Sequence, residues 1–332
     1  MKGTLRLTLA FATASSIVWT LLESQAALAQ ETTVSPDSSS AVTGFGDVQL
    51  TSDHDAGNRE FSLGQAELDF ETRTNRFGIN AAIAWADGAF EVASVVVSAI
   101  LWESADSARL PYSLTIGGGQ FDVPFGIDWR SYASIDRLLI STPLPVEYSH
   151  GCWNELGGYA SLEFPAATIT VFAAHSFFED TTDAIQGREL GVGGRTAFRP
   201  LPALEVGGTL AAVRASDPDH YSRLTGFDLT AQIGPGTITW EYVRLYRPFP
   251  DGPDQFEDGW YIQASVEQSQ CFAAIRADRY RPAVAVPFAD PTSRFSAGFG
   301  VLVHKSMSTK FEYQAMPGRT NDRTIVQVTV RL

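Results

Sequence analysis

The chain has 332 residues and carries 24 Lys plus Arg against 38 Asp plus Glu, a net charge of −14, which excludes the basic footprint of a nucleic-acid binder. Its 44% hydrophobic content supplies enough apolar surface for a large core and excludes disorder over most of its length. Two cysteines cannot make a disulfide-dense scaffold, and 28 Gly, 17 Pro and 11% aromatics favour strands and turns over a helical enzyme.

Residues 1–29 predict a cleaved export signal. Lys2 and Arg6 start it, Leu7 to Leu22 is apolar and uncharged, and Ala27-Leu28-Ala29 offers the small residues a signal peptidase needs. Sixteen apolar residues fall short of the roughly 20 that span a membrane as a helix. Removal leaves 303 residues with a net charge of −15. Residues 30–43, rich in Ser, Thr, Val and Pro without an apolar period, predict a flexible periplasmic tail.

From Gly44 to Leu332 the chain is a series of segments of about ten residues with period-two alternation, separated by Gly, Pro, Asp and Asn. Phe77, Ile79, Ala81, Ile83 and Trp85 alternate with Gly78, Asn80, Ala82 and Ala84. Trp260, Ile262, Ala264 and Val266 alternate with Tyr261, Gln263, Ser265 and Glu267, and Val326, Val328 and Val330 with Gln327, Thr329 and Arg331. Strands are expected near 44–52, 60–71, 77–86, 89–102, 112–121, 152–164, 167–176, 188–199, 203–213, 222–233, 236–247, 258–267, 270–280, 292–304, 307–316 and 322–332. That is sixteen, with a range of 14–18.

A soluble sandwich would bury the apolar row, whereas a membrane barrel turns it to lipid and keeps a wet interior. The connections favour the barrel, because long and short ones alternate as extracellular loops and periplasmic turns do. Asp87-Gly88 and the Glu103 to Pro111 stretch break that rule. The expected fold is therefore an all-β transmembrane antiparallel barrel, residues 44–332, in the outer membrane of a Gram-negative-type bacterium.

Asp122 to Gly151 has no strand period, yet Phe125, Trp129, Tyr132, Leu138, Leu139 and Ile140 make it too apolar for a solvated loop. This third extracellular loop is expected to fold into the lumen and narrow it. Candidate constriction charges are Asp122, Asp128, Arg130, Asp136, Arg137 and Glu147; in the alternative reading they only tie the loop to the wall. On lumen phases of the strands lie Glu67, Asp69, Glu71, Arg195, Arg199, Glu267, Arg276, Lys310, Glu312 and Arg331, a mixed wall able to impose a transverse field on permeating ions. Aromatics near strand ends, among them Phe77, Trp85, Trp240, Tyr246, Trp260, Tyr280, Phe311 and Tyr313, suit interfacial girdles. Acidic outer loops, with Asp53, Asp55, Glu179, Asp180, Asp183, Asp217, Asp219, Asp251, Asp254, Glu257 and Asp258, would be hydrated, or would concentrate cations at the mouth.

The segment Gly119-Gln120-Phe121-Asp122-Val123-Pro124-Phe125-Gly126 resembles the strand-end motif of the phosphate-selective porin O/P-like group and related β-barrel porin families. Gly64 to Phe70 resembles an early strand of the same families, and the Ser134-Ile135-Asp136 to Pro143-Leu144-Pro145 stretch resembles the loop after their Pro-Phe-Gly. The resemblance implies an outer-membrane diffusion channel, often trimeric, whose third loop constricts the pore. Phosphate selectivity is not carried over, because it needs rows of basic residues and this chain is acidic. Nor does the chain end on the aromatic residue usual in such barrels, since it ends on Leu332.

Catalytic and metal signals are weak. No Gly-x-Ser-x-Gly, His-Glu-x-x-His, Cys-x-x-Cys or phosphate-binding Gly-rich loop occurs, the five histidines are scattered, and no cofactor is implied. A barrel enzyme could pair His150 with Ser149 or Ser141. Cys152 and Cys271 fall at opposite ends of their strands, roughly 25 Å apart across the membrane against the roughly 4.4–6.8 Å between Cα atoms that a disulfide needs, so no bond between them is expected. The function read from the sequence is passive diffusion of small hydrophilic solutes and ions with modest cation preference, with outer-membrane lipids as partners. The alternatives are a secreted β-rich binding or structural protein and an outer-membrane barrel enzyme.

Overall fold

The computed structural model describes residues 38–54, 57–86, 89–104, 112–131, 133–175, 190–214, 221–248, 254–283, 291–317 and 322–332, without the side chains of Ala86 and Arg214. The export signal, the tail up to residue 37, the Asp87-Gly88 turn, and the loop charges Asp55, Glu179, Asp180, Asp183, Asp217, Asp219 and Asp251 lie outside the described residues.

Sixteen strands run in chain order: β1 (Ser38–Asp53), β2 (Arg59–Thr74), β3 (Phe77–Ala86), β4 (Ala89–Glu103), β5 (Ser113–Asp122), β6 (Asn154–Phe164), β7 (Ala167–His175) and β8 (Leu190–Leu201), then β9 (Leu204–Arg214), β10 (Tyr221–Ile233), β11 (Gly236–Arg247), β12 (Gln255–Gln268), β13 (Cys271–Arg281), β14 (Thr292–His304), β15 (Met307–Ala315) and β16 (Arg323–Arg331). They form one closed barrel with every strand beside its chain neighbours, and β1 closes on β16 from Phe45 opposite Arg331 to Asp53 opposite Arg323. Closure leaves no unpaired edge, which is what a spanning sheet requires. The expected strands match within a few residues, except that β1 begins at Ser38, ahead of Gly44, so the end of the expected tail is strand. Two-residue connections follow β2, β6, β8, β10, β12 and β14 and define a turn end; the longer connections after β1, β5, β7, β9, β11, β13 and β15 define a loop end.

The alternation sorts side chains by polarity. On β13, Arg276, Asp278 and Tyr280 point inward and are buried, while Ile275 and Arg279 point outward and are exposed. The same holds around the ring: Asp47, Asp228, Glu241, Glu312 and Gln327 are buried inside, and Leu210, Phe227, Phe295 and Phe299 are exposed outside. Such a distribution is the inverse of a soluble core and decides against the sandwich. Tyr280 departs from the girdle expectation, since it faces the lumen and donates its hydroxyl to Glu257.

The connection from β5 to β6 is the loop of functional interest, here L3 (residues 123–153). It has structure of its own, a 3-10 turn at Asp128–Ser131 and a short helix α1 (Leu144–Ser149). Among the described residues no helix is long and apolar enough to cross a membrane, which says nothing of the strands.

Candidate functional site

L3 begins and ends at the wall. Val123 N–H donates to the Trp153 carbonyl at 2.8 Å, and Asn154 Nδ2 donates to Asp122 Oδ1 at 2.8 Å. Between these ties an apolar wedge of Phe121, Val123, Phe125 and Trp153 packs against Phe172, Leu224, Val243 and Leu245, so the loop is driven inward by burial. Two glycines permit the entry. Gly119 has φ 133, and a Cβ there would meet the Val95 carbonyl at 1.8 Å; Gly126 has φ 62, and a Cβ there would lie 1.7 Å from Glu241 Oε1. The Pro-Phe-Gly segment therefore supplies a buried anchor at Phe125 and a backbone bend that only glycine fits.

Beyond Gly126 the loop crosses to the far wall and is bonded down along it. Lys310 Nζ donates to the carbonyls of Ser134 at 2.7 Å, Arg137 at 2.5 Å and Ile135 at 3.4 Å. Glu312 accepts from the backbone of Ile140 at 2.5 Å and Ser141 at 2.9 Å and from the Ser141 hydroxyl at 2.5 Å. Arg276 donates to the Ser141 carbonyl at 2.9 Å and the Ser141 hydroxyl at 2.6 Å, and Arg294 donates to the Thr142 carbonyl. Asp278 takes both guanidiniums, from Arg276 Nε at 2.8 Å and Arg294 Nη2 at 2.9 Å. Farther on, Tyr148 of α1 stacks on Tyr280 with ring centroids 5.1 Å apart.

Of the candidate constriction charges, Asp128 and Arg137 pair with each other at 3.0 Å and are buried on the wall side. Burial pushes the Asp128 carboxyl above its ordinary value, opposed by the charges of Arg137 and Arg276. Glu147 lies 3.6 Å from Arg294 at the rim of the packed face. Asp122, Arg130 and Asp136 line a cavity of about 400 Å³ that L3 leaves open on its other side, together with Glu67, Asp69, Glu71, Asn80 and Ser94 of β2–β4. The opening thus carries five carboxylates and one guanidinium, and that guanidinium is held by Glu205 at 2.8 Å. Among the lumen-wall candidates, Glu67, Asp69 and Glu71 border the opening, Arg276, Lys310 and Glu312 lie under L3, and Arg195 is buried against Asp228. Glu267 lies exposed near the turn end of β12.

Sequence reading missed Asp228, Glu241, Asp278 and Arg294, although each falls on the inward phase of its strand beside residues that were identified. The Ser149 and His150 pair is buried within the packed part of L3. Ser149 Oγ donates to the Pro145 carbonyl at 2.5 Å and lies 2.7 Å from His150 Nδ1. Burial pushes His150 down to about 3, keeping it neutral. Among the described residues no group of His, Cys, Asp and Glu is arranged to hold a metal ion.

No family model matches the chain, and no curated protein matches it. Solved structures do. An anion-selective porin from Comamonas acidovorans superposes with a TM-score of 0.65 at 12% identity, covering 89% of this chain and 99% of the other. OmpF of Salmonella typhi, in a complex with daunomycin, gives a TM-score of 0.65 at 10% identity over 89% and 98%. The trimer form of OmpT, an outer membrane protein of Vibrio cholerae, gives 0.61 at 9% identity over 89% and 99%. The chain has the porin fold. Identity this low extends to the architecture alone, and the charges that line the inside of this barrel are its own.

Proposed function

We propose that the protein is an outer-membrane porin, a water-filled channel for passive diffusion of small hydrophilic solutes and ions with a modest preference for cations. The inverted barrel supports the membrane setting, since exposed rows of Val, Ile, Leu and Phe surround a charged interior. Short turns then lie on the periplasmic side and L3 enters from the extracellular side, with residues 1–29 removed on export; a homotrimer is the assembly proposed, as in the trimer form of OmpT. No enzymatic role is proposed.

The observation that carries the preference is the asymmetry about L3. Arg276, Arg294 and Lys310, which would attract anions, are consumed by loop carbonyls and by Asp278, whereas Glu67, Asp69, Glu71, Asp122 and Asp136 border the opening. Carboxylates lining a narrow passage with low-dielectric walls raise the local cation concentration.

Planar-bilayer conductance of the refolded protein under a salt gradient tests this reading. Large regular steps with a cation-sided reversal potential are expected, and E67K/D69K should carry that potential to zero or beyond. Regular steps with an anion-sided potential in the unaltered protein would refute the preference, and no steps from folded, inserted protein would refute the open channel.

A further inference from the structure

Most outward rows of the barrel avoid charge, as a surface facing hydrocarbon must. Those of β8, β14, β15 and β16 contain none. On β10–β13 the pattern changes. Arg223, Arg244, Asp258, Arg279 and Arg281 all lie on outward phases, each within the four residues nearest the loop end of its strand.

Register gathers them into one patch. Arg244 stands opposite Asp258, Asp258 opposite Arg281, Trp260 opposite Arg279, and Arg223 opposite Tyr246. Arg281 spends its charge on Asp258, with Nε 2.8 Å from Oδ1. The Arg244 guanidinium lies over Phe256, 4.8 Å from the ring centroid. Among the described residues, Arg223, Arg244 and Arg279 have no carboxylate within ion-pair distance, so with Asp258 and Arg281 they sum to +3, and to +2 with Asp254, whose carboxylate accepts from the Tyr246 hydroxyl at 2.8 Å, on a protein whose own net charge is −14. A groove of about 380 Å³, lined by Arg223, Thr225, Arg244, Tyr246 and Phe256, opens in its middle.

The position of the patch narrows what can occupy it. It lies outside the lumen, so permeating solutes do not pass it. Its depth is that of a headgroup layer, with the outward residues Phe227, Tyr242 and Trp260 on the turn side of Arg223 and Arg244, and Tyr246 and Phe256 level with Arg223. Guanidiniums are matched to phosphate oxygens by their forked donors, and long-stemmed cations at this level reach toward headgroups.

We propose that this patch binds the phosphate groups of a phosphorylated glycolipid in the outer leaflet, with Arg223 and Arg244 holding the anion in the groove and Arg279 extending the contact across β13. The proposal rests on the outer-membrane setting and orientation given above.

The test uses the full barrel in phosphatidylcholine nanodiscs, scored for lipid adducts by native mass spectrometry against added diphosphoryl lipid A, the same lipid with both phosphates removed, or inorganic phosphate. The unaltered protein should prefer the phosphorylated lipid at least tenfold, and R223S/R244S/R279S should lose that preference. Equal binding of the two lipids by the unaltered protein, or a preference kept by the triple variant, would overturn the proposal. Displacement of the lipid by inorganic phosphate at matched concentration would also overturn it, in favour of a soluble anion. A triple variant with altered oligomeric state and unchanged lipid preference would reassign the patch to a subunit contact. Conductance steps and heat-modifiable migration of the same preparations separate the two readings: normal channels without lipid preference sink this proposal alone, and absent channels sink the porin reading.

Discussion

The two faces of L3 are built from the same kinds of residue and treat charge in opposite ways. Toward β10–β15 nearly every ionic group has a buried partner: Asp278 takes two arginines, Glu312 takes three loop donors, and Lys310 is bonded to loop carbonyls. Toward β2–β4 the carboxylates of Glu67, Asp69 and Glu71 border open space, and among the described residues none forms an ion pair. A charge that is dehydrated and bonded has its field cancelled at short range and serves as an attachment. One that faces water in a narrow passage acts on whatever passes. Net composition cannot make that distinction, because both kinds count equally in the total of −14.

The largest expected effect comes from breaking the bonded face. Arg276→Leu removes the donors to Ser141 and leaves Asp278 with Arg294 alone. Asp278 keeps Arg294, so the cost falls below the roughly 3–5 kcal/mol of a buried charge left wholly unpaired, but Ser141 loses its donors at the same time. L3 should detach locally, giving larger, noisier conductance steps and a lower temperature for loss of the folded gel form. Unchanged steps would mean that the apolar wedge at Phe125 holds the loop unaided.

A pH series sharpens the same comparison at the root of the loop. His150 is enclosed and neutral, with Phe125 edge-on at 4.8 Å, and its folded value of about 3 lies below the ordinary 6.5. A depressed value means that the packed loop is favoured above pH 6.5 and loses that advantage as pH falls toward 3. At pH 4.5 the loss is about 2–3 kcal/mol. Acid should therefore promote loop opening in the unaltered protein, seen as added conductance noise, and His150→Gln should flatten the response. An identical acid response in both proteins would move its origin to the carboxylates at the opening.

How much of this could be read in the sequence follows from the range of each interaction. The strands were legible because an outward apolar row repeats every second residue, as in Val326, Val328 and Val330, and that signal is local. The start of β1 was not, since Ser38 to Thr43 has no such row. Tyr280 faces inward although it lies near a strand end, because the phase it shares with Arg276 and Asp278 decides its side of the wall. The inward fold of L3 was legible from its apolar residues, but its attachment was not. Ile140 and Ser141 meet Glu312, and Ser134 meets Lys310, across more than 170 positions of chain. No spacing rule joins such pairs, so the bonded arginines and the open carboxylates looked alike.

The smallest effect marks where the bonded face ends. Glu147 sits on α1 with a side chain 44% exposed, and its carboxylate lies 3.6 Å from Arg294, which Asp278 already neutralises at 2.9 Å. An exposed pair of this kind is worth about 0–1 kcal/mol, and here the cation keeps its stronger partner when the weaker one is removed. Glu147→Gln should therefore leave both the unfolding temperature and the step size within error, while Asp278→Asn, which strips the partner shared by Arg276 and Arg294, should lower the first and disturb the second. If Glu147→Gln also moves the reversal potential, Glu147 belongs to the conducting face, and the boundary between bonded and open charge runs on the lumen side of α1.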